Sequence, residues 1–130
     1  MNYFEFKEFD CPCEDCQRAE STGRANMQPR FLEMLDHARA ISEGTSFKIN
    51  SGYRCEPHNA KVKGRPKTAS NKGSSHIYGW AADLACNSSQ ERHNILTALR
   101  ETGFNRIGIS GTFIHVDGDP DKSPNVTWTY

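Results

Sequence analysis

Two stretches of the chain carry apolar residues at the spacing of an α-helix. Residues 27–44 form the first, with Pro29 in the first turn, where a missing amide is tolerated, and Gly44 at the predicted end. Residues 88–103 form the second, which opens on the capping-box sequence Ser88-Ser89-Gln90-Glu91 and ends at Gly103. The predicted buried faces are Phe31, Leu32, Leu35, Ala38 and Ile41 in the first helix, and Ile95, Leu96 and Leu99 in the second.

Shorter segments in which apolar residues alternate with polar or small ones predict strands. These segments are residues 47–50, 78–87, 106–109 and 112–116, of which the last two are joined by a turn at Ser110-Gly111. Regular structure is expected to break at Gly52 and Pro57, and no element is predicted after a turn at residues 117–121. The pattern predicts an α+β fold, in which two main helices pack on a small, mostly antiparallel sheet.

The chain length of 130 residues predicts a single domain spanning residues 1–130, with a cysteine-containing N-terminal arm over residues 1–26. Within the arm, residues 3–9 alternate aromatic and charged side chains, as a short strand or an irregular segment would, and residues 10–26 are predicted to be a loop.

Sixteen basic and sixteen acidic residues give a formal net charge of zero, so the composition indicates neither a nucleic-acid partner nor a membrane surface. The first residues lack an apolar signal core, and no stretch reaches transmembrane length. We expect a monomer without a membrane anchor, made in a cytoplasm and carrying no export signal of its own. Five basic residues fall in a predicted loop over residues 60–73, which is either a solvated loop or a mobile flap over an anionic substrate.

The five cysteines are an odd number, which argues against a complete disulfide framework. Three of them are crowded at Cys11, Cys13 and Cys16, whereas Cys55 and Cys86 are solitary. A structural zinc ion needs four ligands, and Cys55 joins the first three only if the fold brings it close. The sequence favours partly buried reduced thiols; a second, structural metal at Cys11, Cys13 and Cys16 and a Cys-x-x-Cys redox protein are the alternatives.

The candidate chemistry is concentrated in Ser74-Ser75-His76-Ile77-Tyr78-Gly79-Trp80-Ala81-Ala82-Asp83. Imidazole nitrogen and carboxylate oxygen are both ligands of Zn²⁺, and a catalytic zinc site usually takes three ligands from the protein. Gly79 allows a tight turn that returns His76 towards Asp83, and His115 on a later strand is the third candidate. We therefore expect His76, Asp83 and His115 to hold one zinc ion, while His37 and His93 lie on the surface.

The motif Ser74-x-His76-x-x-Gly79-x-Ala81-x-Asp83, followed by a strand histidine, resembles the signature of zinc D-alanyl-D-alanine carboxypeptidases. Upstream, Ser51-Gly52-Tyr53-Arg54 with His58-Asn59 is similar to the second block of the same family, and the resemblance covers about residues 27–117. The wider group contains cell-wall peptidases, phage endolysins and the zinc fold of hedgehog signalling domains. The resemblance implies a zinc peptidase that cleaves peptide bonds in peptidoglycan stem peptides, as a carboxypeptidase or an endopeptidase.

The resemblance also implies roles for residues around the zinc ligands. Arg54 is expected to grip a substrate carboxylate or to polarise the scissile carbonyl, because its guanidinium is a fixed fork of donors. Ser74, and less directly Ser51, are expected to bind substrate. A lysis-type enzyme, released to the cell wall of a phage host, fits the absence of an export signal.

The general base is the residue that departs from the family pattern. Several relatives carry an acid three positions before the last histidine ligand, where this chain has Thr112. We predict Asp117 as the base, with a role in orienting a histidine or capping the following turn as the alternative. Asp119 and Asp121 form an acidic turn that is either a Ca²⁺ site or a plain turn. The missing acid keeps a second class open, a zinc-containing binding module without catalytic activity.

Overall fold

The computed structural model describes residues 1–130, which form a five-stranded mixed sheet with helices. The α+β prediction is confirmed. The strands are β1 (Ile49–Ser51), β2 (Ala81–Ala85), β3 (Arg106–Ile109), β4 (Phe113–Asp117) and β5 (Val126–Thr129). The α-helices are α1 (Glu14–Gln17), α2 (Thr22–Asn26), α3 (Pro29–Ala40), α4 (Glu56–Lys61) and α5 (Ser89–Thr102), and 3-10 helices span Phe6–Phe9 and Ser75–Tyr78.

The strand order across the sheet is β1-β2-β4-β3-β5. The first three pairings are antiparallel, and β5 runs parallel to β3 along the far edge. In the central pair, Asp83 of β2 lies opposite His115 of β4, and Ala81 lies opposite Asp117. Since alternate residues of a strand share a face, the side chains of Asp83, His115 and Asp117 emerge on one side of the sheet.

The opposite face of the sheet carries the core. Ala82, Leu84, Ile114 and Val116 alternate with the polar residues of β2 and β4 and are fully buried. Helices α3 and α5 pack against each other and against this face, through the predicted apolar stripes. Burial of a large aliphatic or aromatic side chain contributes roughly 1.5–3 kcal/mol each, so this one face supplies much of the folding energy. The other face is left free for polar chemistry.

The N-terminal arm contains no strand but a 3-10 helix followed by α1 and α2, and two of its aromatic rings enter the core. Phe4 and Phe9 are buried and meet edge to face, with ring centroids 5.6 Å apart. The amide of Tyr53 donates to the carbonyl of Phe9 at 2.9 Å, which places the arm beside the segment that follows β1. The prediction of a loop over residues 10–26 is wrong, because α1 and α2 form there.

Several predicted boundaries shift. Helix α3 ends at Ala40, before a separate turn in which Gly44 adopts a φ of +83°. The strand predicted over residues 78–87 is restricted to β2, since a 3-10 helix and Gly79, with a φ of +74°, precede it. A side chain at Gly79 would also strike the backbone of Asn26, because a Cβ there would overlap the carbonyl oxygen of Asn26.

Two further elements, α4 and β5, are absent from the sequence prediction. Pro57 does not break regular structure but lies in the first turn of α4, where its missing amide has no helical partner to lose. Strand β5 follows the predicted turn at 117–121.

The capping box at α5 is half formed: the hydroxyl of Ser88 accepts from the amide of Glu91 at 3.1 Å, while the carboxylate of Glu91 accepts from the amide of Asn87 at 3.5 Å. No helix is both long and apolar enough to cross a membrane.

Candidate metal centre

The three predicted ligands meet on the polar face of the sheet. His76 comes from the 3-10 helix, and Asp83 and His115 are the opposed residues of β2 and β4. Oδ1 of Asp83 lies 3.2 Å from Nε2 of His76 and 3.0 Å from Nδ1 of His115. One ligand atom of each residue therefore falls within 4.8 Å of the other two.

This donor set fits a zinc ion. Nitrogen and oxygen ligands lie about 2.0–2.2 Å from Zn²⁺, so two of them in a tetrahedron are about 3.3–3.6 Å apart. The two contacts of Asp83 are slightly shorter than that, and a small outward movement of the side chains admits the ion. Two imidazoles and one carboxylate are also the ligand chemistry of an open catalytic zinc site, with a fourth position left for water or substrate.

The ring of His76 is held by a contact that the sequence does not reveal. Its Nδ1 donates to the carbonyl of Gly52 at 2.7 Å, which leaves Nε2 directed at Asp83. Gly52 is required because the arm passes against it: a Cβ there would lie 2.7 Å from Cα of Phe9. The arm and the segment after β1 thus fix which nitrogen of His76 faces the metal position.

Burial and hydrogen bonding set the charges of the three ligands. Burial lowers the pKa of the His76 imidazole, which favours the neutral form that a metal binds. For Asp83, burial acts to raise the pKa, but its contacts with the imidazoles of His115 and His76 outweigh burial and hold the pKa well below its usual range. Burial likewise opposes protonation of His115, yet its bonds to Asp117 and Asp83 leave the pKa raised.

Asp117 is not one of the three predicted ligands; it lies beyond His115, on the side of the ring away from His76 and Asp83. Its Oδ2 accepts from Nε2 of that ring at 2.7 Å, and its Oδ1 accepts from Arg106 Nε at 2.7 Å and from the amide of Asp119 at 3.2 Å. Only 1% of its side chain is exposed. Both oxygens are therefore engaged, and this contact favours the orienting role over the base role; the base role stays a prediction.

Arg54 is drawn into the site as predicted, but its contacts are with the protein. Its Nη2 donates to Oδ2 of Asp83 at 2.9 Å, so the guanidinium holds the second oxygen of that ligand. Nε donates to the hydroxyl of Ser51 at 3.0 Å, and Nη1 to Oδ1 of Asn59 at 3.4 Å. Its side chain is 13% exposed and reaches the cavity above the ligands.

The remaining predicted residues take supporting positions. The hydroxyl of Ser74 accepts from the amide of His76 at 3.3 Å and caps the 3-10 helix, and Ser74 also borders the cavity. Ser51 holds Arg54 and does not line the cavity. The acidic turn is tied to the basic loop, since Nζ of Lys72 lies 2.8 Å from carboxylates of both Asp119 and Asp121.

Sequence reasoning missed three contributors to the site, namely Gly52, Arg106 and Ser75. Ser75 is buried and donates to Oδ2 of Asp119 at 2.7 Å. No local sequence pattern marks Arg106, because its side chain comes near the site only when β3 pairs with β4. Gly108 and Trp128 on neighbouring strands form a further wall: the missing side chain of Gly108 makes room for the indole, whose ring centroid lies 5.4 Å from that of His115.

A cavity of about 660 Å³ opens over the three ligands. Its lining is rich in cations and, apart from Asp83 and Asp117, contains no carboxylate. The cationic residues are Arg54, Lys63, Arg65, Arg106 and Lys122. Lys63 and Arg65 belong to the basic loop, so its first part borders the cavity. A positively charged cleft of this kind concentrates anionic ligands.

Comparison with known proteins agrees with this geometry. No curated protein and no solved structure matches the chain at a significant level. The model of one family, described as peptidase M15, matches residues 2–117, which include all three ligands and most of the cavity wall. His76, Asp83 and His115 form a group that could hold a metal ion. The chain belongs to the M15 peptidases, the family of zinc D-alanyl-D-alanine carboxypeptidase-type metallopeptidases.

Proposed function

We propose that the protein is a zinc peptidase that hydrolyses peptide bonds in peptidoglycan stem peptides. One observation carries the proposal: the ligand triad lies at the floor of a cleft whose walls are cationic. Stem peptides carry free carboxylates and D-amino acids, so their anionic groups match the cations of the cleft. The proposal covers two reactions, removal of a terminal D-Ala and a cut within the stem or cross-bridge.

A zinc ion held by His76, Asp83 and His115 would polarise the scissile carbonyl and lower the pKa of a bound water to near neutrality. The chain's own residues prepare the site for that chemistry. The carbonyl of Gly52 and the carboxylate of Asp117 fix the two imidazole rings, and Arg54 fixes the carboxylate. Because these contacts are buried, little reorganisation is needed when substrate enters.

The test is a digestion of purified peptidoglycan and of a synthetic pentapeptide stem that ends in D-Ala-D-Ala. We expect release of D-Ala or of new amino termini, loss of that release with a chelator, and its return on addition of zinc. Release of D-Ala alone identifies a carboxypeptidase, whereas new amino termini identify an endopeptidase. Zinc-loaded, folded protein that releases neither product would overturn the proposal.

A second candidate is a zinc-containing module that binds cell-wall peptides without cleaving them. A specific observation favours it: the cleft offers no free carboxylate to act as base, and Thr112 is not among its lining residues. The digestion separates the two candidates, because a binding module would be retained on peptidoglycan while releasing no product.

As an enzyme, the protein is proposed to act as a monomer on the cell wall during phage-type lysis, in line with the family resemblance.

Arg54 provides a prediction about substrate recognition. In the Arg54→Ala variant we expect KM for the free-carboxylate stem to rise about 10- to 100-fold, the value of one or two hydrogen bonds to a charged group. Amidation of the terminal carboxylate of the stem is expected to raise KM of the wild type by a similar factor. The same amidation is expected to leave KM of the variant unchanged. The measurement is kcat and KM for both substrates and both proteins.

The control for this cycle is Arg100→Ala, which removes an exposed arginine from α5 and is expected to change neither constant. Zinc content is measured in parallel, because Arg54 also contacts Asp83. If the Arg54 variant keeps its zinc and still discriminates against the amidated stem as strongly as the wild type, Arg54 does not bind that carboxylate.

A further inference from the structure

A second cluster of metal-binding side chains lies away from the cleft. Cys11, Cys13 and Cys16 of the arm meet Cys55, which precedes α4, and their four sulfur atoms lie within 4.8 Å of one another. Sγ of Cys55 is 3.6 Å from Sγ of Cys11 and 3.6 Å from Sγ of Cys13. The fold therefore brings in the fourth thiol whose absence argued against a metal at the sequence level. Cys86 is buried elsewhere in the core.

The spacing of the sulfur atoms matches a single tetrahedral ion. Zinc–sulfur bonds are about 2.3 Å, so the sulfurs of a tetrathiolate site are about 3.8 Å apart. The amide of Cys16 also points at Sγ of Cys13 at 3.4 Å, a donor that stabilises a thiolate. A polynuclear iron–sulfur cluster distributes its cysteines over two or more iron atoms and needs a wider cage. Disulfides require the sulfurs to pair, whereas Cys55 is equidistant from two partners.

Hydrogen bonds that involve no sulfur atom hold the segment of Cys11, Cys13 and Cys16 in place. The amide of Cys11 donates to the hydroxyl of Thr22 at 2.9 Å, and its carbonyl accepts from the side chain of Gln17 at 3.0 Å. Helix α1 starts at Glu14, directly after Cys13. The thiols are thus positioned by the surrounding backbone, as ligands of a structural ion are, rather than gathered only by each other.

We propose that Cys11, Cys13, Cys16 and Cys55 bind a structural zinc ion that fastens the N-terminal arm to the segment carrying Gly52 and Arg54. Cys55 follows Arg54 directly, and Gly52 packs against Phe9 while its carbonyl orients His76. The ion therefore braces, from outside the cleft, the backbone that positions one catalytic-zinc ligand and the arginine. It is a positioning element and does not contact substrate.

The first test is zinc content of protein prepared under reducing conditions, measured by mass spectrometry of the metal. We expect two zinc ions per chain in the wild type and in Cys86→Ala, and one in Cys55→Ser. Asp83→Ala is expected to retain one, and the double variant Asp83→Ala/Cys55→Ser none. The two sites are thereby counted separately, so that failure of one assignment is not mistaken for failure of the other.

One zinc in the wild type that is lost in Asp83→Ala but kept in Cys55→Ser overturns the structural site and leaves the proposed function intact. One zinc that is lost only in Cys55→Ser supports the structural site and removes the catalytic one. Iron in place of zinc, or disulfides among the four cysteines in intact-mass analysis of freshly isolated protein, also overturns the proposal.

A second readout does not depend on the folding of any cysteine variant. Asp83→Ala protein loaded with Co²⁺ is expected to show the intense sulfur-to-cobalt charge-transfer absorption of a tetrathiolate site, because all four cysteines are intact. Absence of that absorption in folded, cobalt-loaded protein would count against four sulfur ligands even if zinc were retained.

Discussion

Replacing Asp83 with alanine is expected to remove one zinc ion from the protein and to abolish peptidase activity. Asp83 is the residue that joins both histidines and Arg54, through contacts of 3.2, 3.0 and 2.9 Å. Loss of the ion forfeits several kcal/mol of transition-state stabilisation, which corresponds to a fall in kcat/KM of about 10³-fold or more. Zinc content and stem-peptide hydrolysis are the measurements.

The same substitution has a second expected consequence, for stability. Without its carboxylate partner, the half-buried guanidinium of Arg54 is left unpaired, and removing one member of a buried ion pair typically costs about 3–5 kcal/mol. Since 13–14% of each side chain remains exposed, the lower end of that range is expected. The free energy of unfolding in urea, measured on metal-free wild type and variant, checks this.

Asp121→Ala is the matched control. Asp121 is an exposed residue of the acidic turn; its carboxylate contacts only Lys72, and its backbone amide donates to Asp119. The Asp121→Ala variant is expected to keep both its zinc content and its peptidase activity. If Asp83→Ala retains full metal content together with hydrolysis, the three-ligand site is wrong.

The ligands themselves were predictable because their signal is local. The spacing of His76, Gly79 and Asp83 describes a turn entering a strand, and the alternation in residues 113–117 predicts a strand histidine. The pairing of β2 with β4, which the sequence did not predict, places Asp83 opposite His115. The apolar stripes of α3 and α5 were equally informative, because helical periodicity needs no knowledge of the rest of the fold.

What the sequence did not reveal depends on contacts between distant segments. Cys55 is 39 residues from Cys16 in the chain, and the two segments meet through the packing of Phe9 against Gly52 and the hydrogen bond from Tyr53 to Phe9. The parallel pairing of β5 with β3 is likewise non-local: half-buried and exposed positions alternate along β5, but the strand has only four residues and none of them is fully buried, so no core-facing stripe marks it. Alternation predicts which residues share a face, but not which ring nitrogen of His115 faces which carboxylate.

The bond between Nε2 of His115 and Asp117 determines what is expected of the Asp117→Asn variant. An asparagine oxygen can still accept from Nε2 of His115, but without the charge that raises the basicity of the ring. If Asp117 orients the ligand, zinc affinity falls about 10- to 100-fold, and most turnover returns when zinc is supplied in excess. If Asp117 is the base, zinc affinity is unchanged and turnover falls about 10²–10⁴-fold at any zinc concentration.

The contacts of Asp117 favour the first outcome. Its two oxygens are bonded to His115, Arg106 and the amide of Asp119, so neither is free to take a proton from a water over the metal position. Arg106→Gln serves as a comparison, because it removes the charged partner of Oδ1, which keeps its bond from the amide of Asp119, and leaves the bond to His115 in place. The measurements are the zinc dissociation constant and kcat at saturating zinc for both variants. A loss of kcat in Asp117→Asn that added zinc does not restore would make Asp117 the base and require it to leave His115 during turnover.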